Sequence, residues 1–90
     1  MEIIRSTQFK RDFKKVMNNQ PKVELFQKAL MHIISGKPLP KTYDEHPLKG
    51  DKLGFIDIHL APDFILIYRI DKHKSELHLA RIGSHSDLFK

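Results

Sequence analysis

The chain contains no cysteine. That excludes disulfide frameworks, thiolate zinc sites and cysteine nucleophiles, and it fits a reducing compartment. Long apolar runs are also missing. The longest, Phe64–Tyr68, has five residues, whereas a membrane-spanning helix needs about 20. No basic stretch followed by an apolar one opens the chain, so a secretory signal is not expected and a cytoplasmic protein is. Length is short as well. Ninety residues predict a single domain over 1–90 that buries about 60–65% of its unfolded surface. An elaborate cofactor fold or a two-domain cleft does not fit in that length.

Acidic residues are scarce in the first half. Residues 1–42 carry nine basic and three acidic side chains, while residues 43–90 carry seven and eight, for a net +5. Lys10, Arg11, Lys14 and Lys15 crowd into one segment. Such a stripe attracts polyanions because each neutralised phosphate releases condensed counterions. The same stripe also suits the solvated face of an ordinary helix. With 40% hydrophobic and 30% charged residues, the chain has enough apolar content to fold.

Ile3 and Ile4 within Glu2–Ser6 suggest a short strand. Ser6 or Thr7 can cap a following helix, since a hydroxyl accepts from the free N–H groups of the first turn. Phe9, Phe13, Val16 and Met17 recur at i, i+4, i+7 and i+8, one apolar stripe on a helix to about Asn18–Asn19. Asn19-Gln20-Pro21 breaks the chain, and proline suits the first turn of a second helix. Val23, Phe26, Ala29, Leu30, Ile33 and Ile34 form that helix's apolar face, and Gly36 can end it. Residues 37–54, rich in proline and glycine, predict a long loop, and long loops in compact domains are often functional. Three strands follow: Phe55–Leu60, Phe64–Ile70 and Glu76–Ile82. In the first, Ile56, Ile58 and Leu60 face one way while Asp57 and His59 face the other. The layout is α+β, with helices packed on an antiparallel sheet.

Six histidines in 90 residues are a second excess. His46, Asp57, His59, Asp63, Arg81 and His85 are the polar residues of interest. One chemistry they could support is metal-free cleavage of RNA. That needs a base for the 2′-OH proton, an acid for the leaving 5′-oxygen and positive charge at the phosphate. Histidine, with an ordinary pKa of ~6.5, suits both proton roles, and arginine can clamp phosphate bidentately. A second chemistry uses His46, His59, Asp63 and His85 as metal ligands, although Pro62 interrupts the His59–Asp63 spacing. A third reading makes these ordinary surface histidines. His32, His73 and His78 are placed in that class, with His78 expected to face solvent. Phe89 could seal the core edge or stack on a base.

Four blocks carry a family resemblance. They are His46-Pro47-Leu48-Lys49-Gly50; Asp57-Ile58-His59; Pro62-Asp63 with Ile65-Leu66-Ile67-Tyr68; and Arg81-Ile82-Gly83-Ser84-His85 with Leu88-Phe89. In this order and spacing the chain resembles the YafQ branch of the RelE-type toxins, ribosome-dependent endoribonucleases of bacterial type II toxin–antitoxin pairs. The resemblance is close over residues 44–89 and covers the first 43 only in layout. It implies a RelE-like α+β domain with a short N-terminal strand and two helices packed on an antiparallel sheet. It also implies cleavage of mRNA in the ribosomal A site and inhibition by a co-encoded antitoxin, with no metal, small-molecule cofactor or membrane.

The same resemblance places His46, Asp57, His59, Asp63 and His85 in catalysis, and Arg81, Phe89 and Lys49 against substrate. The expected roles are His59 as base steadied by Asp57, His85 as acid, His46 and Arg81 at the phosphate, and Asp63 ordering the site. Many relatives carry arginine just before the Asp57 position. This chain has Ile56, so one phosphate ligand is expected to be missing. The alternative class is a non-enzymatic basic module that binds RNA, the ribosome or an acidic protein.

Overall fold

The computed structural model describes residues 1–89. The chain runs β1 (Glu2–Arg5), α1 (Thr7–Val16), α2 (Gln20–Ser35), β2 (His46–Pro47), β3 (Ile56–Ala61), β4 (Phe64–Asp71), β5 (Glu76–Gly83) and α3 (His85–Leu88). The five strands form one sheet in the order β1-β5-β4-β3-β2. β2 through β5 pair antiparallel, and β1 lies parallel to β5 with Glu2 opposite Glu76. The α+β arrangement matches the sequence expectation except for this parallel edge.

Local chemistry sets the helix ends. The Ser6 hydroxyl accepts from Phe9 N–H at 2.9 Å and donates to the Ala80 carbonyl at 2.8 Å. One side chain thus caps α1 and anchors it to β5 where β1 stops. Asn19 caps α2 by accepting from Lys22 N–H at 3.2 Å, with Pro21 in the first turn. Gly36 ends α2 at φ 74°, a left-handed conformation that an L side chain resists. α1 closes at Val16 rather than Asn18–Asn19, because Asn19 N–H turns back to the Val16 carbonyl and its side chain is committed to the next helix.

Both helices cover one face of the sheet. Phe9, Val16, Phe26, Ala29 and Ile33 meet Ile58, Leu60, Phe64, Leu66, Tyr68, Leu77, Leu79 and Ile82 in one apolar cluster. The Phe9, Phe13 and Phe26 rings lie 5.3–5.7 Å apart, centroid to centroid, at the α1–α2 junction. Met17 and Ile34, expected inside, are exposed, since each lies at the margin of its helix's stripe.

Residues 37–54 are not a featureless loop. They hold two single 3₁₀ turns, Lys41–Tyr43 and Gly50–Lys52, and the two-residue β2. His78 is half-buried rather than solvent-facing, because its Nε2 lies 2.9 Å from Glu76 Oε1. Ile56 is partly buried against the apolar core and sits beside Ile33, Tyr68 and Ile70. Its side chain therefore belongs to the helix side of the sheet. It leaves the strand on the face opposite Asp57 and His59. No helix among the described residues is long and apolar enough to cross a membrane.

Candidate active site

The open side of the sheet collects the histidines. β2 puts His46 opposite Asp57 of β3, and β3 puts His59 opposite Ile65 of β4. Ile65 in turn pairs with Gly83 of β5, just before Ser84 caps α3 and turns His85 back toward β3. The result is a row of rings. His46 and His59 are 6.4 Å apart between centroids, His59 and His85 5.5 Å, and His85 and Phe89 5.7 Å. Four sequence candidates from three separate blocks therefore share one surface. The ends near residues 60–63 and 82–85 meet because β3, β4 and β5 pair in chain order.

Carboxylates hold the outer two histidines. Asp63, in the β3–β4 turn, accepts from His85 N–H at 3.0 Å and lies 3.3 Å from His85 Nδ1. These bonds hold the Asp63 carboxyl below the usual carboxylate range, the backbone bond from His85 being the main cause. With Nδ1 turned to a carboxylate, Nε2 of His85 is the nitrogen left to exchange a proton. Asp63 therefore contacts His85 through both its backbone N–H and its ring. His46 lies between two acids, with Nδ1 3.6 Å from Asp57 Oδ1 and Nε2 3.7 Å from Asp44 Oδ1.

Two expectations are corrected. Asp57 was expected to steady His59, its neighbour on the strand face. Its nearest ring is His46 across the β2–β3 pair, and the buried Oδ1 makes no hydrogen bond. Cross-strand neighbours are closer than i, i+2 neighbours on one strand, so the pairing of β2 decides the partner. Arg81 was expected to clamp phosphate. Its Nε and Nη2 bond Asp12 of α1 at 2.7 and 3.2 Å, and Asp12 also accepts from Ile82 N–H at 3.1 Å. This pair keeps the guanidinium charged beyond its ordinary range. Two of the arginine's five N–H donors are thereby spent inside the protein.

Lys49 is exposed at the start of a 3₁₀ turn, three residues beyond His46. Phe89 is 45% exposed and so does not seal the core. Sequence inspection missed Asp44 and Asp12. Asp44 stood two residues before His46, and Asp12 was the lone acid in the basic stripe.

A model of the family described as "Bacterial toxin of type II toxin-antitoxin system, YafQ" matches residues 1–90. The chain belongs to the YafQ toxin family. The mRNA interferase toxin YafQ of Escherichia coli K12 is 33% identical over 85 residues, covering 93% of this chain and 90% of that protein. The E. coli DinJ–YafQ complex contains a chain that superposes with a TM-score of 0.86 at 32% identity, covering 99% of this chain and 98% of that one. A metal-bound toxin from Helicobacter pylori superposes at 0.88 with 38% identity and 99% coverage of each chain. In this YafQ-family chain the rings run in a row. Among the described residues no three His, Asp or Glu side chains are grouped as a metal shell requires.

Proposed function

We propose that this protein is the toxin of a type II toxin–antitoxin pair and an endoribonuclease that cuts mRNA in the ribosomal A site. It acts in the cytoplasm by histidine acid–base chemistry without a metal. The observation that carries this is the row of three imidazoles on the open face, one of them oriented by Asp63. The family and the activity named for the E. coli relative support the substrate class.

His59, at the centre of the row, takes the proton of the ribose 2′-OH. The 2′-oxygen attacks phosphorus, the P–O5′ bond breaks, and His85 gives its Nε2 proton to the departing O5′. The products are a 2′,3′-cyclic phosphate and a 5′-hydroxyl. His46, with an acid near each ring nitrogen, lies beside the phosphate, with Asp57 and Asp44 positioning it. Phe89 offers a ring face to a neighbouring base, and Lys49 offers charge at the margin. The partner that restrains this activity is a co-encoded antitoxin, as the DinJ–YafQ complex suggests. Its acidic surface would complement the net +5 charge.

The test is cleavage of a ribosome-bound message by wild-type protein beside the His59→Ala/His85→Ala double variant, with naked RNA as control. Cutting that requires both the ribosome and the histidines is expected. Losing either proton-transfer group should slow cleavage by about 10²–10⁴-fold. Ribosome binding without any cutting by the wild type would instead favour the non-enzymatic binding module.

A further inference from the structure

A second concave surface lies between α1, the start of α2 and the end of β5. This cleft of about 450 Å³ is lined by Arg11, Asp12, Lys15, Lys22, Arg81 and Asp87, among others. Its volume falls in the range of small-molecule sites, about 300–1,000 Å³. Arg11 and Lys15 are one turn apart and share a face of α1. Among the described residues neither side chain forms an ion pair. Lys22 has only the ring of Phe64, 5.3 Å from its Nζ. Of the two carboxylates in the cleft, Asp12 is already matched by Arg81. Three cations from two helices thus line one opening that also holds Asp12 and Asp87, and among the described residues none of the three is in an ion pair. With four basic and two acidic residues in its lining, the opening carries a net positive field that attracts anions.

The cleft is continuous with the active site along the chain. Gly83 and Ser84 line it, and His85 follows directly. Arg81 and His85 are four positions apart, so their Cα atoms lie within about 14 Å. A single strand whose reacting phosphate sits at the histidine row has flanking phosphates to place around the end of β5. Basic grooves that track a backbone are the usual way to hold such strands.

We propose that this cleft is a phosphate subsite that holds the RNA strand beside the cleaved bond, with Arg11, Lys15 and Lys22 as its ligands. The assignment rests on the ribonuclease function above for its substrate. It makes the basic first helix part of substrate binding rather than a generally solvated face.

The test uses the full chain carrying His59→Ala/His85→Ala, so that RNA stays intact. Binding of a labelled single-stranded RNA, of vacant ribosomes and of a polyglutamate peptide is titrated across salt concentrations. Lys15→Ala/Lys22→Ala is compared with Lys28→Ala/Lys72→Ala, which removes the same charge elsewhere. For every phosphate that loses its lysine, the log–log salt slope should flatten by about 0.7–0.9 and binding should weaken about five- to eightfold at 0.1 M salt. The cleft pair should show this for two phosphates, and the control pair should leave the slope near the parent's. Weaker binding in the oligonucleotide arm supports the subsite, whereas weaker binding only with vacant ribosomes would assign the cleft to ribosomal RNA and overturn it. Equal behaviour of the two pairs overturns it, as does absence of parent binding in both RNA arms. So does an effect confined to the polyglutamate arm, which would make the cleft a site for acidic protein. Wild-type protein that never cleaves would sink the nuclease assignment, while the slopes would still decide the cleft.

Discussion

Removing the Asp12 carboxylate should be costly for a residue on a surface helix. Its two oxygens serve three donors: Arg81 Nε at 2.7 Å, Arg81 Nη2 at 3.2 Å and Ile82 N–H at 3.1 Å. β1 ends at Arg5 opposite Leu79, so beyond it the β5 edge has no strand partner. Asp12 and Ser6 take its place. In Asp12→Ala the Ile82 N–H is left without its acceptor, at a cost of about 1–3 kcal/mol when water cannot replace it. The ion pair adds to this. Its side chains are 21% and 14% exposed, between exposed pairs at about 0–1 kcal/mol and buried pairs whose disruption costs about 3–5. Together these give about 2–4 kcal/mol against a total of roughly 5–13 for this length. The midpoint of thermal unfolding should fall by about 8–30 °C. Asp12→Asn, which keeps an acceptor but not the charge, should lie between. Urea unfolding of Asp12→Ala, Arg81→Met and the double variant measures the coupling directly. A cost below about 0.5 kcal/mol for Asp12→Ala, or no coupling, would refute the reasoning and free Arg81 to act as a phosphate ligand.

Asp63→Asn keeps an acceptor for His85 N–H but removes the charge facing Nδ1. Cleavage should slow about 10–100-fold, as for other residues that orient a reacting imidazole, with little change in ribosome affinity; an unchanged rate would deny Asp63 its positioning role. Because the Asp63 pKa is depressed in the folded protein, its contribution is present above the ordinary carboxylate value of about 3.9 and is lost only as pH falls through the lower folded one. A wild-type rate that dropped through protonation of Asp63 above pH 5 would contradict this. Burial pushes the Tyr68 hydroxyl up to about 12, with Glu45 adding to the effect. The folded pKa is raised, so its stabilisation is complete below the ordinary value of about 10 and disappears between there and about 12. Tyr68→Phe should flatten the alkaline fall in unfolding midpoint over that window; an unaltered profile would show that Tyr68 ionises normally.

The features written in periodicity were legible. The stripe of Phe9, Phe13 and Val16, the alternation from Ile56 to Leu60, and Gly36 as a stop all depend on neighbours within a few residues, and each element formed near its expected bounds. The histidine row was legible as a set of residues, because short motifs carried it. Partnerships made by tertiary pairing were not. β1 joins β5 across more than 70 residues, and nothing local encodes which strand a four-residue segment will choose. β2 is two residues long, too short for any pattern, yet its pairing transfers Asp57 from His59 to His46. Asp12 was invisible for a related reason. Its significance comes from the unpaired edge of β5, which exists only once β1 has stopped.

The two faces of the sheet divide stability from chemistry, and Ile56 tests that division. It alternates with Asp57 on β3, so the two side chains leave opposite faces. Ile56 packs toward Ile33, Tyr68 and Ile70 under the start of the long 37–54 connection. Replacing it with arginine exchanges a partly buried aliphatic side chain for a cation whose stem alone can stay in place. The expected loss is about 1–2 kcal/mol of stability, given roughly 25 cal/mol per Å² of apolar surface. The guanidinium would emerge at the margin near Glu45 rather than over the histidine row, so the cleavage rate per bound ribosome should not rise. Single-turnover cleavage by Ile56→Arg beside wild type, with urea unfolding of both, separates the two effects. A gain of tenfold or more in the cleavage step would mean that position 56 reaches the reacting phosphate, and that the sheet does not keep its faces apart at β3.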